Sequence, residues 1–88
     1  MAKHGPSYTD RARVLIARND DDAGRYARAC MTRQSCPDPA EYGLEARTIN
    51  ITSHVEDGFI HYTARTSIDG VRKTWPLSTG PGGPYIYP

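Results

Sequence analysis

The chain has 88 residues, with eleven Lys or Arg against ten Asp or Glu, a formal charge of +1 and a mean hydropathy of −0.65. At this length folding buries roughly 60–65% of the unfolded surface, enough for one thin core and little enclosed space besides. Near-neutral charge argues against strong non-specific nucleic-acid binding by the molecule as a whole, and no stretch is apolar enough for a signal peptide or a membrane helix, so the expected location is cytoplasmic.

The charge is unevenly spread: residues 1–33 carry +3, residues 34–70 carry −4 and residues 71–88 carry +2. Nine of the eleven basic residues are Arg. Such side chains suit planar, bidentate contacts, although coding bias is the ordinary explanation for their excess.

Residues 1–6 read as a short flexible lead to a single domain covering 1–88. From there Tyr8, Ala12, Leu15, Ile16, Asn19, Ala23, Tyr26, Ala27, Cys30 and Met31 advance by three, four or one. That is the stripe of an amphipathic helix, and it predicts helix over 7–33. Gly24 would cost about 1 kcal/mol in its interior. Asp20-Asp21-Asp22 resembles a second helix start, its acids favoured by the macrodipole and paired with Arg18 and Arg25. The segment is therefore one long helix or two broken near Asn19–Asp21. A rival reading makes Arg11 to Arg18 a strand with Ala12, Val14 and Ile16 inward. The helical template explains more positions and is preferred.

Residues 34–43 (QSCPDPAEYG), with two prolines and no period, form a connector. Cys36 lies here and Cys30 lies on the apolar stripe. Buried hydrophobe and incidental thiol is the preferred reading of the two, with a disulfide as the alternative in an oxidising compartment. Two cysteines six apart lack the close spacing of a zinc pair. No metal or cofactor is expected.

Residues 44–78 contain Asp57-Gly58 and Asp69-Gly70, pairs suited to the two positive-φ positions of type I′ hairpin turns. They predict a three-stranded antiparallel meander. Around Asp69-Gly70, Ile68 pairs with Val71, Thr66 with Lys73, Ala64 with Trp75 and Tyr62 with Leu77. Around Asp57-Gly58, Val55 pairs with Ile60, Ser53 with Tyr62, Ile51 with Ala64 and Ile49 with Thr66. Both registers place Ile49, Ile51, Val55, Ile60, Tyr62, Ala64, Ile68, Val71, Trp75 and Leu77 on one face, to be covered by the helix.

The opposite face then displays Asn50, Thr52, His54, His61, Thr63, Arg65, Ser67, Arg72 and Thr74, with His54 directly across from His61. Adjacent imidazoles resist double protonation, which suits a mild pH sensor or half of a metal site; two polar residues on a solvated strand is the plainer reading. The segment from Tyr62 to Leu77 (YTARTSIDGVRKTWPL) resembles the sheet of arm-type DNA-binding domains of phage integrases. An α-β-β-β order is also similar to the first part of a double-stranded-RNA-binding domain. The integrase likeness covers under a quarter of the chain, and a Pro/Gly tail stands where both families have a helix, so neither family is assigned.

That tail, residues 79–88 (TGPGGPYIYP), cannot form a regular helix. Its Tyr85-Ile86-Tyr87 either folds back over the core or anchors a partner. No Ser-His-Asp, Cys-His or paired-carboxylate arrangement is evident, and GPGG is followed by Pro-Tyr rather than by Lys and a helix.

The expectation is an α+β protein, an N-terminal helix or helix pair on a three-stranded antiparallel meander in the order α-β-β-β (alternative β-α-β-β-β). It would be a small non-enzymatic protein that binds another protein, as a regulator or inhibitor of the kind phages and mobile elements encode against host machinery. Nucleic-acid binding on the polar sheet face is the alternative, and a structural subunit of a larger assembly the second. The partner-binding candidates are Thr63, Arg65, Arg72, His54, His61, Tyr85 and Tyr87.

Overall fold

Val14, Leu15, Ile16 and Ala17 are consecutive, and all four are buried. A helix on one face of a sheet would bury only a stripe of such a run; a strand between two cores buries all of it. That is what the chain does. The computed structural model describes residues 4–33 and 35–87. It contains β1 (His4–Ile16), α1 (Asp20–Thr32), a 3-10 turn (Pro39–Tyr42), β2 (Glu45–Glu56), β3 (Phe59–Ile68), β4 (Val71–Pro76) and β5 (Tyr85–Ile86).

The α+β class therefore stands, but the helix-first order does not. Residues 4–16, expected as lead and helix, are a strand; Met1 to Lys3 lie outside the described residues. The order is β-α-β-β-β with a fifth strand added. Helical spacing over Tyr8–Ile16 coexisted with a period-2 pattern, and β-branched Val14 and Ile16 suit a strand buried on both faces.

The helix begins where the acidic run suggested. Asn19 caps it, its side-chain oxygen accepting from the Asp22 N–H at 2.9 Å. Asp22 also pairs with Arg25 at 3.1 Å and lies 3.9 Å from Arg18. Its apolar side carries Ala23 and Tyr26, packed with Leu15, Ala17, Leu44 and Tyr85 in one core. The Tyr26 hydroxyl donates to the Pro37 carbonyl at 2.8 Å, and its ring meets Tyr42 and Tyr85 edge-on.

Five strands form one sheet in the order β4-β3-β2-β1-β5, with β5 parallel to β1 and the other neighbours antiparallel. Both Asp-Gly turns have positive φ at each central residue. Most of the expected register forms: Ile68–Val71, Thr66–Lys73, Ala64–Trp75, Val55–Ile60, Ser53–Tyr62 and Ile51–Ala64. The Leu77 N–H reaches the Tyr62 carbonyl at 3.1 Å, just past the end of β4.

One pair fails. The β2–β3 ladder ends at Ile51–Ala64, so Ile49 and Thr66 are not partners. Arg47 spans the splayed strands instead, donating to Thr66 Oγ1 at 2.8 Å and to the Ser67 carbonyl at 2.7 Å. Glu45 holds the same guanidinium at 2.7 Å.

The sheet curls until its two ends meet. Ser78 and Tyr85 exchange both backbone hydrogen bonds, at 2.9 and 2.8 Å, which turns the sheet into a small, incompletely closed barrel. Its interior is Val14, Ile16, Ile51, Ala64, Ile68, Trp75 and Ile86. The meander's apolar face is thus covered by the sheet's own curl and by β5, and the expected helical cover is absent. The helix lies outside, over Leu15 at one end of β1.

Candidate functional site

Strand alternation gives the barrel wall an inner and an outer face. Curling closes the inner face beside β5 and leaves it open toward the Asp57-Gly58 hairpin. The opening is a groove of about 430 Å³ lined by Tyr8, Ala12, Ile51, Tyr62, Leu77 and Pro84, with Asp10, Ser53 and Thr79 as its polar members. Around it Tyr8, Ile60 and Tyr62 are exposed. Ile60, Tyr62 and Val71 had been expected to lie under the helix; Val71 is exposed at the far hairpin, and none of the three is buried.

The groove runs beside an unpaired length of β1. On that side β5 meets only Leu15 and Ile16, with the Leu15 N–H bonded to the Pro84 carbonyl and the Ala17 N–H to the Ile86 carbonyl. By alternation the N–H groups of Thr9, Arg11 and Arg13 point the same way. The Arg11 N–H is taken by the Asp10 carboxylate at 2.8 Å.

The outer face carries the polar candidates. Thr63, His54, His61, Arg65 and Arg72 all lie on it, as the register required. His54 and His61 are opposite each other with ring centroids 5.3 Å apart and planes 21° apart, a stacked pair; Glu56 lies 3.5 Å from His54. Thr63 lies in a row with Thr9 and Thr52, whose hydroxyls are 3.3 Å apart.

Sequence reasoning missed Arg11 and Arg13. It placed them on the solvent face of a helix, whereas β1 puts them on the outer sheet face opposite Asn50 and Thr48. The alternation of Thr9, Arg11 and Arg13 with Ala12, Val14 and Ile16 was the available signal. Tyr8, Tyr62 and Leu77 were missed as groove residues because they were assigned to the core.

The tail folds back. Tyr85 and Ile86 are buried in β5, and Tyr87 packs beside the helix-side core. Tyr85 therefore offers no free surface; its hydroxyl donates to the Pro81 carbonyl. Burial raises the pKa of this phenol above the ordinary value near 10, and Tyr26 raises it further. Gly82, at φ +80°, lets the tail pass against the helix: a Cβ there would lie 2.7 Å from Cys30 Sγ and 2.9 Å from a Tyr26 ring carbon.

Cys30 and Cys36 are joined as a disulfide with Cα atoms 4.3 Å apart, which corrects the preferred free-thiol reading. The bond ties the end of α1 to the connector. Such bonds form and persist in oxidising surroundings. Among the described residues, no three His, Cys, Asp or Glu side chains converge as a metal site, and no helix is long and apolar enough to cross a membrane. No protein-family model, curated protein or solved structure matches the chain.

Proposed function

We propose that the chain is a small non-enzymatic binding protein that holds another protein at the open groove. The observation that carries this reading is the juxtaposition of an apolar groove with the free edge of β1. An extended segment of a partner would add as a strand beside Thr9–Arg13, in line with β5. Its backbone would use the free N–H groups of Thr9 and Arg13, and every second side chain would enter the groove between Tyr8, Tyr62 and Leu77. Exposed Tyr and Ile around a concavity are suited to anchoring such a segment. The Asp10 carboxylate favours a cationic residue in it. A regulator or inhibitor that masks a partner's strand would need no more machinery than this.

Panning a library of random ten-residue peptides against the full chain tests the reading. Enriched peptides should alternate apolar residues, slow amide exchange at Thr9 and Arg13, and lose affinity when Tyr62 is replaced by Asp. Binders that leave those two amides exchanging at the free-protein rate would defeat the proposal. Slowed exchange that grows with protein concentration and without peptide would instead identify a second copy of the chain as the occupant.

A further inference from the structure

On the far side of the wall from the groove, β1 contributes Arg11 and Arg13, β3 contributes Arg65 and β4 contributes Arg72. Arg11 pairs with Asn50 and Arg13 with Thr48; Arg65 pairs with Thr74 and Arg72 with Ser67. The four arginines fall in two adjacent rows of the outer wall, Arg11 and Arg65 in one and Arg13 and Arg72 in the next, on strands that the curl carries round the barrel. All four are exposed. Among the described residues none has a carboxylate within 4.0 Å, and the acids that pair elsewhere hold Arg18, Arg25 and Arg47. Glu56 is the one acidic side chain on this face of β1 to β4, and it sits at the hairpin end beside His54.

The other end of the same face is aromatic. Phe59 is 70% exposed and lies across from Glu56, one row beyond the stacked His54–His61 pair. Between the two ends stand Thr9, Thr52 and Thr63, whose hydroxyls can donate to phosphate oxygens. Rows on one face recur about every 6.7 Å along a strand, so Phe59 and Arg72 are separated by about 27 Å. That length accommodates about four nucleotides, the lower end of the site sizes of sheet-based single-strand binders.

We infer that this outer face binds single-stranded nucleic acid, with Arg11, Arg13, Arg65 and Arg72 on phosphates and Phe59 with the histidine pair as the stacking platform for bases. Charge complementarity selects a polyanion, and exposed rings in line with the cations select one whose bases are unpaired. The overall charge of +1 does not oppose this, because every acid but Glu56 lies in α1, the connector, the turns or the inner face.

The test is fluorescence anisotropy of the full chain with a labelled twelve-residue oligothymidine, the matching RNA and a duplex of the same length. With about four phosphates neutralised, single-strand affinity should fall about fifty-fold between 50 and 200 mM salt, from a slope near −0.7 per contact. Arg65→Ala with Arg72→Ala should leave roughly a seven-fold dependence, and so should Arg11→Ala with Arg13→Ala. Phe59→Ala should weaken single-strand binding about ten-fold with the salt slope unchanged. Arg28→Ala, on the solvent side of α1, should change neither. All six sites are exposed, and an unchanged near-ultraviolet circular dichroism spectrum confirms that each variant is folded. Absence of binding at 50 mM salt, tighter binding to the duplex, or an arginine pair whose loss leaves the slope intact would each overturn the inference.

Discussion

Replacing Ile86 by Ala asks whether two residues of tail hold the barrel shut. Ile86 is fully buried and packs among Val14, Ile16, Ile51 and Trp75. The substitution leaves the backbone bond from Ala17 to the Ile86 carbonyl in place. It removes three carbons from the interior, about 2.4 kcal/mol of transfer free energy at 0.8 kcal/mol per carbon. The cavity left behind adds to that, because the four surrounding strands cannot collapse fully into the space; the sum is about 3–4 kcal/mol. A domain of this size is stable by about 4–13 kcal/mol, so the variant should be folded with a melting temperature roughly 12–30 °C lower. Ile60→Ala at the exposed groove rim is the comparison and should cost under about 0.5 kcal/mol. Urea unfolding followed by circular dichroism gives both numbers. A loss at Ile86 no larger than at Ile60 would mean that β5 is not docked, and the closed barrel would fall with it.

Three further outcomes follow from the same packing. Reducing the disulfide, or replacing Cys30 and Cys36 by Ser together, should cost about 2 kcal/mol for so short a loop, and titration of the unfolded, unreduced chain should find no free thiol; two thiols per chain would refute the pairing. Gly24→Ala should stabilise by about 1 kcal/mol in thermal melts, since the new methyl meets nothing within 4 Å and the residue is helical. At high pH the raised pKa of Tyr85 sets the sign: the unfolded phenol ionises first, so stability is constant below about pH 10 and falls as pH rises through the folded value. Tyr85→Phe should flatten that alkaline decline, and an unaltered decline would place the sensitivity elsewhere.

The two Asp-Gly hairpins were legible because their information is local. Positive φ at both central residues admits few residue types, and strict alternation on each side fixes the register to the residue. From this alone the pairing of His54 with His61 and the shared face of Thr63, Arg65 and Arg72 could be read. Asn19 and the three aspartates likewise marked a helix start through capping and the macrodipole, both effects of the first turn.

What the sequence could not decide was everything set by which surface meets which. Tyr8 to Ile16 fits both a helical stripe and a strand, and a run such as Val14-Leu15-Ile16 becomes a strand only when cores exist on both sides of it. That second core is built by Tyr26, Leu44 and Tyr85, residues far apart in the chain. Ile60 and Tyr62 read as core because alternation reports the face and not whether anything covers it. The cover was expected from the helix, but a five-stranded sheet with strong curl fills its own interior and leaves only the mouth open. The place of Arg11 and Arg13 beside Arg65 and Arg72, and hence the charge of the outer face, depends on β1 joining β2, a contact about forty residues distant in the chain. Local rules wrote the turns and the caps; burial on both sides of one strand, a property of the assembled fold, determined the groove and the outer face on which the proposals rest.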